Sequence, residues 1–433
     1  MKLVFPSALL LTLATSVPAL AQAPYDLLLR RGLLVDPKNE IHAVRDIAIT
    51  SGRIAAVEPR IDPTSARKVV DLKGFVVTPG LIDIHTHVYA GTGERNSYAG
   101  DNSVYPDGFA FRSCVTTVAD AGSSGWRNFE DFKTKVIDRA KTRVYAFLNI
   151  VGGGMRGGRR EQDLDDMQPE PTAAMARKHP DIVVGIKTAH FGGPGWTAVD
   201  RALEAGIAAS LPVMVDFGRA RPERPLCQLL GEKLRPGDIY THVHSGLRNE
   251  QDESGHVSQA LWEGRKRGIY LDVGHGGSSF HWKVAIPALK EGLVPDSLST
   301  DLHTASVNAG MKDLLNVMSK FLALGLSPNE VIRRVTINPA QEIRHGELGH
   351  LSVGAPADVA VLRIERGRFG FVDSGGKRLD GARRFACELT VRAGRIAFDL
   401  NGLSAAAWDQ AALPTPPGTT AATTPATTPV TTR

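Results

Sequence analysis

A chain of 433 residues with 42% apolar and 22% charged side chains has an ordinary globular composition, and its length favours several structural units or one barrel with an appendage. The formal charge of +5 is small for that length, and the basic residues are scattered in short pairs such as Arg159-Arg160 and Arg333-Arg334. No basic stripe interleaves with aromatic residues, which argues against a nucleic-acid partner.

The N-terminus, MKLVFPSALLLTLATSVPALAQAPYD, sets Lys2 before an apolar run that ends in Ala19-Leu20-Ala21. A charged start, an apolar stretch and an A-x-A site read as an export signal over 1–21, removed after Ala21. The competing reading is an uncleaved anchor, but the run is short for a membrane span. The mature chain is therefore expected to be periplasmic or secreted, with no span of its own.

From 24 to 78 the chain is strand-like, in pieces such as YDLLLRRGLLVD, RDIAITSGRIAAVEP and RKVVDLKGFVVTPG. The same texture returns over 346–404, in GAPADVAVLRIERG and CELTVRAGRIAFDLNG. Both ends together suggest one small β unit. The middle, 79–345, alternates short apolar strands with helical segments. The strands are GLIDIHTH, VTTVADAG, RVYAFLNIVG, DIVVGIKTAH, PVMVDFG, DIYTHVHSG, GIYLDVGHG and DSLSTDLHT. Eight strands alternating with helices predict an α/β fold, a (β/α)8 TIM-like barrel, with a small β-sandwich domain built from both termini. An open doubly wound sheet is the rival, but its glycine fingerprint does not follow the first strand. Residues 405–433, rich in Thr and Pro, lack the apolar content of a packed core and read as a disordered tail.

In TPGLIDIHTHVYA, His85 and His87 stand at i and i+2 where an apolar strand ends. That spacing aims two imidazoles at one side, an arrangement suited to a divalent metal. The later strand ends add Lys187, Asp216, His242 and Asp301. Barrel active sites are built from those ends, so the joint pattern is far more specific than any one member.

On these motifs, with VVGIKTAH, YTHVHSG, LDVGHGGSSF, SLSTDLH and LGHLSVGAPADVAVL following in order, the chain resembles the amidohydrolase superfamily, in particular dihydroorotase-like deacetylases and aminoacylases. The resemblance implies a metal-dependent hydrolase acting on an amide, cyclic amide or ester bond of a small molecule, with one or two divalent ions, usually zinc. His85 and His87 would hold the first metal, and Lys187, carboxylated on its side-chain nitrogen, would bridge to the second. His242 would bind the second metal. Asp301 would bind the first and act as general base. His275 would face the substrate, either steadying the oxyanion or serving only as a structural histidine.

One residue departs from the pattern. Asp216 stands at the end of the fifth strand, where such proteins usually place a histidine. A carboxylate there predicts a second position that is weak or takes another metal. His190 is expected to line the pocket, with supply of the missing nitrogen as the alternative. Arg156, Arg219 and His303 are further substrate candidates. Gly152-x-Gly154-x-x-Gly157 lacks a following apolar-periodic helix, so a dinucleotide site is not expected. The loop reads instead as a mobile lid whose Arg156, Arg159 or Arg160 could meet an anionic substrate. His244 could share the pocket.

A non-catalytic or altered-metal binding barrel with a degenerate second site is the competing functional reading, weakened by the presence of Asp301. Three cysteines, Cys114, Cys227 and Cys387, allow one disulfide and leave a thiol over. Cys114 reads as packed rather than reactive. Substrate identity and a homo-oligomeric state stay open. Export is testable directly: protein from a native-like host should begin near Gln22 on N-terminal sequencing, and retention of Met1 would overturn the reading.

Overall fold

The computed structural model describes residues 23–409, so the expected export signal and most of the Thr/Pro-rich tail lie outside the described residues. In chain order, β1 (Tyr25–Asp36), β2 (Ile41–Thr50), β3 (Arg53–Glu58), β4 (Ala66–Asp71) and β5 (Val76–Pro79) come first. Then follow β6 (Leu81–Thr86), β7 (Val115–Gly125), β8 (Arg143–Asn149), β9 (Val183–Thr188), β10 (Val213–Val215), β11 (Ile239–Tyr240) and β12 (Tyr270–Leu271). The last strands are β13 (Val359–Val372), β14 (Arg378–Arg392) and β15 (Arg395–Asp399).

The terminal strands form one hydrogen-bonded sheet in the order β15-β14-β13-β5-β1-β2-β3, with β4 on β1. The two ends of the chain meet where β5 pairs antiparallel with β13, Val77 opposite Val361. A register shift between Leu29 and Gly32 bends β1, whose first half carries β4 and whose second half carries β5. The sheet divides there, and Leu29, Leu34, Ile47, Val70, Val77, Val361 and Leu389 from its parts share one buried core.

The second sheet is parallel, in the order β12-β11-β10-β9-β8-β7-β6. It curls into a (β/α)8 barrel, closed by the segment Ser297–Leu302. That segment is bridged in parallel to Asp272 on one side and to Thr86 on the other. The eighth strand expected in DSLSTDLHT is thus present as isolated bridges, because its polar groups are spent on the site: Asp301 lies at positive φ and Thr300 bonds Asp83. Backbone bonds complete the closure, His87 donating to the Leu302 carbonyl at 2.8 Å. Ile82, Ile84, Ala119, Ala121, Phe147, Val184, Met214 and Ile239 form one core of the barrel. A larger cluster lies under the helices, which present amphipathic faces such as Ala198, Val199, Ala202 and Leu203 of Thr197–Ala209. Among the described residues no helix is long and apolar enough to cross a membrane.

The two units are joined covalently. Cys114, just before β7, forms a disulfide with Cys387 of β14 across a Cα separation of 5.6 Å. Cys114 is fully buried, so the sequence reading of a packed cysteine misses only its bond. Cys227 is free and exposed. Thiol titration of the native protein should therefore find one reactive thiol per chain. Replacing Cys114 and Cys387 together by Ala should cost about 2–5 kcal/mol of stability, read as a fall in the denaturant midpoint. Three titratable native thiols would contradict the linkage.

Candidate metal centre

β6 carries His85, and His87 follows one residue beyond its end. Both rings are buried, with centroids 5.8 Å apart. Asp301 meets them from the closing segment, its Oδ1 3.1 Å from His87 Nε2 and 3.7 Å from His85 Nε2. Among the described residues these three are the group whose His and carboxylate donor atoms all lie within 4.8 Å of one another.

The layer behind them fixes which ring nitrogen faces inward. Thr241 donates its hydroxyl proton to Asp272 Oδ2 at 2.7 Å, so its oxygen accepts from His85 Nδ1 at 2.9 Å. Ser297 and Ser299 in turn hold Asp272, at 2.8 and 2.7 Å. The Gly274 carbonyl can only accept, and it takes the Nδ1 proton of His242 at 2.5 Å. His85 and His242 therefore present bare Nε2 lone pairs. A lone pair facing a carboxylate oxygen repels it unless a cation sits between them. This donor chemistry fits a divalent ion held by His85, His87 and Asp301.

The backbone is shaped to the same end. His190, His242 and Asp301 all adopt left-handed conformations, at φ 61°, 63° and 52°. Such strain in non-glycine residues concentrates at functional sites. Gly274, at φ +45°, lies so close that a Cβ would stand 2.5 Å from Thr241 Oγ1 and 2.7 Å from His242 Nδ1. A Cβ on Gly276 would lie 2.3 Å from Asp301 Oδ2.

The charges are unequal to their surroundings. Burial, then the Lys187 charge, lowers His85 to about 3, keeping it neutral as a ligand must be. Burial also lowers Lys187 to about 8 against the pull of Asp216 and Asp301. Its Nζ lies 3.3 Å from His85 Nε2 and 3.4 Å from Met214 Sδ. Burial tends to raise Asp301, but the His87 hydrogen bond and the neighbouring imidazoles hold it well below the usual carboxylate range.

Asp216, just past β10, uses Oδ1 to accept from Gly218 N at 2.9 Å and to pair with Arg248. Arg248 is fully buried, its Nε on the Gly218 carbonyl at 2.7 Å and its Nη1 on that of Thr241 at 3.3 Å. Asp216 Oδ2 is left facing His242 Nε2 at 3.4 Å and His190 Nε2 at 3.8 Å. The His190 ring is 43% exposed on the cleft side, and its Nδ1 bonds Glu161 Oε2 at 2.7 Å. Partial burial opposes a charge there, but Glu161 raises His190 to about 8.

A cleft of about 320 Å³ opens above these groups, lined by Tyr98, His190, Arg219, His242, Asp301 and His303 among others. His303 Nε2 lies 4.0 Å from Asp301 Oδ2. The Tyr98 ring packs 4.3 Å from that of His87. A second cavity of about 360 Å³, beside Asp83 and Phe109, contains none of the converging histidines.

Three sequence expectations need correction. His275 does not face the cleft. Its ring is fully buried and stacked on Phe280, with Nδ1 on the Gly276 carbonyl and Nε2 2.5 Å from Lys320 Nζ. Nor is Arg156 free for a substrate anion, because its Nε is 2.8 Å from both Glu94 oxygens, and Arg160 shares that carboxylate. His244, the other pocket candidate, is buried against Phe280 and Phe321 with neither ring nitrogen hydrogen-bonded. Sequence reasoning missed Arg248, Asp272, Thr241 and Glu161. Asp272 alone carried a signal, a carboxylate inside the apolar run of GIYLDVGHG.

A closed barrel with a His-His-Asp donor set at the strand ends is a framework that could hold a divalent metal ion. No protein-family model matches the chain. A deacetylase of Agrobacterium fabrum is 33% identical over 337 residues, covering 75% of this chain and 79% of that one. The crystal structure of an adenine deaminase superposes with a TM-score of 0.78 at 30% identity, over 87% of this chain and all of the other. That of a dihydroorotase gives 0.75 at 30% identity, over 86% of this chain and 98% of the other. The chain belongs to the amidohydrolase superfamily, in its deacetylase-like branch.

Asp272 touches no metal position itself and acts through Thr241 and His85. Asp272→Asn should weaken metal binding about 10–100-fold, the usual cost of losing such a partner, measured by competition with a chromophoric chelator. Unchanged affinity in a folded variant would show that the tautomer of His85 is set elsewhere.

Proposed function

We propose that this protein hydrolyses an amide, cyclic amide or ester bond of a small molecule, in the manner of a deacetylase or aminoacylase. The observation that carries the reading is Asp301, a carboxylate shared with the metal donors His85 and His87 yet open to the cleft. A divalent ion of the kind that imidazole and carboxylate donors hold, zinc among them, would supply Lewis acidity and acidify a water molecule. Asp301 takes the water proton on its free oxygen as the carbonyl carbon is attacked, and returns it to the leaving nitrogen or oxygen. Arg219, at the cleft edge, is the cation offered to an anionic substituent of the substrate. His303 and Tyr98 close the wall beside Asp301.

Lys187 belongs to this reading as a carbamate. A buried amine brought down to about 8 has a far larger neutral fraction than an ordinary lysine, and the neutral amine adds carbon dioxide, releasing one proton. The anion formed suits a site that collects cations, whereas an ammonium there opposes them. Export to the periplasm or the exterior is supported by the N-terminal pattern and by the Cys114–Cys387 disulfide, a bond that persists in oxidising compartments. No nucleic-acid partner is proposed.

An acyl-substrate panel assayed alongside metal analysis of the same sample tests the reading. Asp301→Asn should lower kcat by at least about 100-fold, in the range for loss of a general base. Lys187→Ala should lose most metal and activity, with partial return of both on adding a short carboxylic acid. Near-normal turnover in Asp301→Asn would assign the base elsewhere, and a metal-free wild type with full activity would end the metal-dependent reading.

A further inference from the structure

Lys320 is a buried amine that the hydrolytic reading leaves without a task. It lies on the helix Leu314–Ala323 and is fully buried, with Nζ 2.5 Å from His275 Nε2 and 2.8 Å from the Gly310 carbonyl. We propose that Lys320 is a positioning residue for Asp301. It acts on one flank through the His275–Gly276 turn and on the other through the segment that follows the helix Thr304–Asn308. The inference rests on the proposed role of Asp301 as metal donor and base.

The first flank is a line of short contacts. Burial, and then the Lys320 charge, hold His275 well below its ordinary range, so the ring is neutral and carries one proton. The Gly276 carbonyl can only accept, so that proton lies on Nδ1, 2.9 Å away, and Nε2 accepts from Lys320. The ring is thereby held at both nitrogens, and Phe280 stacks on its face at 4.6 Å. The turn it carries is bonded to the closing segment, His275 N to the Ser299 carbonyl at 3.2 Å and Gly276 N to the Thr300 carbonyl at 2.9 Å. Gly276 stands directly behind Asp301. At φ +54° it has no space for a Cβ, which would lie 2.3 Å from Oδ2. The backbone of this turn is the wall against which the free oxygen of the base rests.

The second flank follows Asp301 in sequence. Ser306 Oγ lies 2.9 Å from the Asp301 carbonyl and accepts from the His303 amide at 2.9 Å. Its helix ends at Asn308, and Gly310 comes two residues later. Gly310 is wedged against the Val372 and Asp373 carbonyls, which a Cβ would approach to 2.6 and 2.7 Å. Lys320 therefore ties together the two segments that enclose Asp301, whose left-handed backbone at φ 52° persists only where its surroundings hold it. Burial lowers Lys320 to about 7, but the amine and the ammonium both carry the two protons these bonds need. The rings of Phe280 and Trp282 stand 5.6 and 6.0 Å from Nζ. A side chain that merely filled this apolar site would be better made of carbon alone, because burying an amine costs free energy that only its bonds recover.

Lys320→Met keeps the length of the side chain and deletes its donors. In the folded variant kcat should fall at least about 10-fold while KM changes by less than about 3-fold, the split that marks a loss in the transition state rather than in binding. Competition with a chromophoric chelator should find the ion at His85, His87 and Asp301 held about 10-fold more weakly, since Asp301 is one of its donors. His275→Gln restores one acceptor and one donor and should stay within about 3-fold of wild type, whereas His275→Leu should resemble Lys320→Met. Combining Lys320→Met with His275→Leu should be no worse than Lys320→Met alone, as for two members of one line. In an Asp301→Asn background Lys320→Met should change neither readout further. Wild-type kcat and affinity in Lys320→Met, multiplied losses in the double variant, or undiminished losses in the Asp301→Asn background would each overturn the assignment. If Lys320→Met does not fold, His275→Gln against His275→Leu decides in the same way. A wild type that holds its ion but cleaves no acyl substrate would remove the hydrolase reading alone, and the chelator comparison would then decide whether Lys320 places Asp301.

Discussion

The centre depends on a proton that is not in it. Thr241 can accept from His85 because its own hydrogen is given to Asp272, and Asp272 can take it because two serines hold that carboxylate in place. Reverse the direction of that one hydroxyl and His85 would turn an N–H towards the cleft, where a metal donor is needed. The chain of bonds runs from Ser297 and Ser299 on the closing segment, through Asp272 and Thr241 just past β12 and β11, to His85 on β6. The barrel wall therefore sets the chemistry of its mouth. Buried polar networks of this kind are valuable when every member is satisfied, and each member named here is.

The same wall explains why strands β10 to β12 are so short. Each ends just before a residue of the site or of its supporting layer, Asp216, Thr241 or Asp272, and the chain then leaves the ladder. His242 and Asp301 stand at positive φ where regular pairing stops. Regular sheet and functional loop compete for the same residues, and at this end of the barrel the loops win. The hydrophobic interior below, with Ile82, Ile84, Phe147 and Met214, supplies the rigidity that lets them do so.

Much of this was legible before any coordinates. Periodic apolar strands separated by helical segments imply the barrel, and the i, i+2 spacing of His85 and His87 implies convergence. Both are consequences of local geometry, which a sequence carries openly. Arg248 was not legible. It sits in the polar stretch SGLRNEQDESG, and nothing in that composition says that one guanidinium will be buried against Asp216. His275 misled for the opposite reason. It occupies a strand end, but the partner that turns its ring away, Lys320, lies 45 residues downstream on the helix Leu314–Ala323. Arg156 was mistaken similarly, since Glu94 reaches it from a loop 62 residues earlier. Long-range pairing decides these cases, and a single sequence does not display it.

The disulfide has a consequence for how the chain is made. Cys114 and Cys387 are 273 positions apart, and Cys227 lies between them. A ribosome releases the chain from its N-terminus, so Cys114 meets Cys227 well before Cys387 exists. Wherever oxidation accompanies emergence, the first pairing on offer is the wrong one. The native bond then forms by exchange, thiolate attacking disulfide. Cys227, exposed and free in the finished protein, is the thiol such an exchange would release.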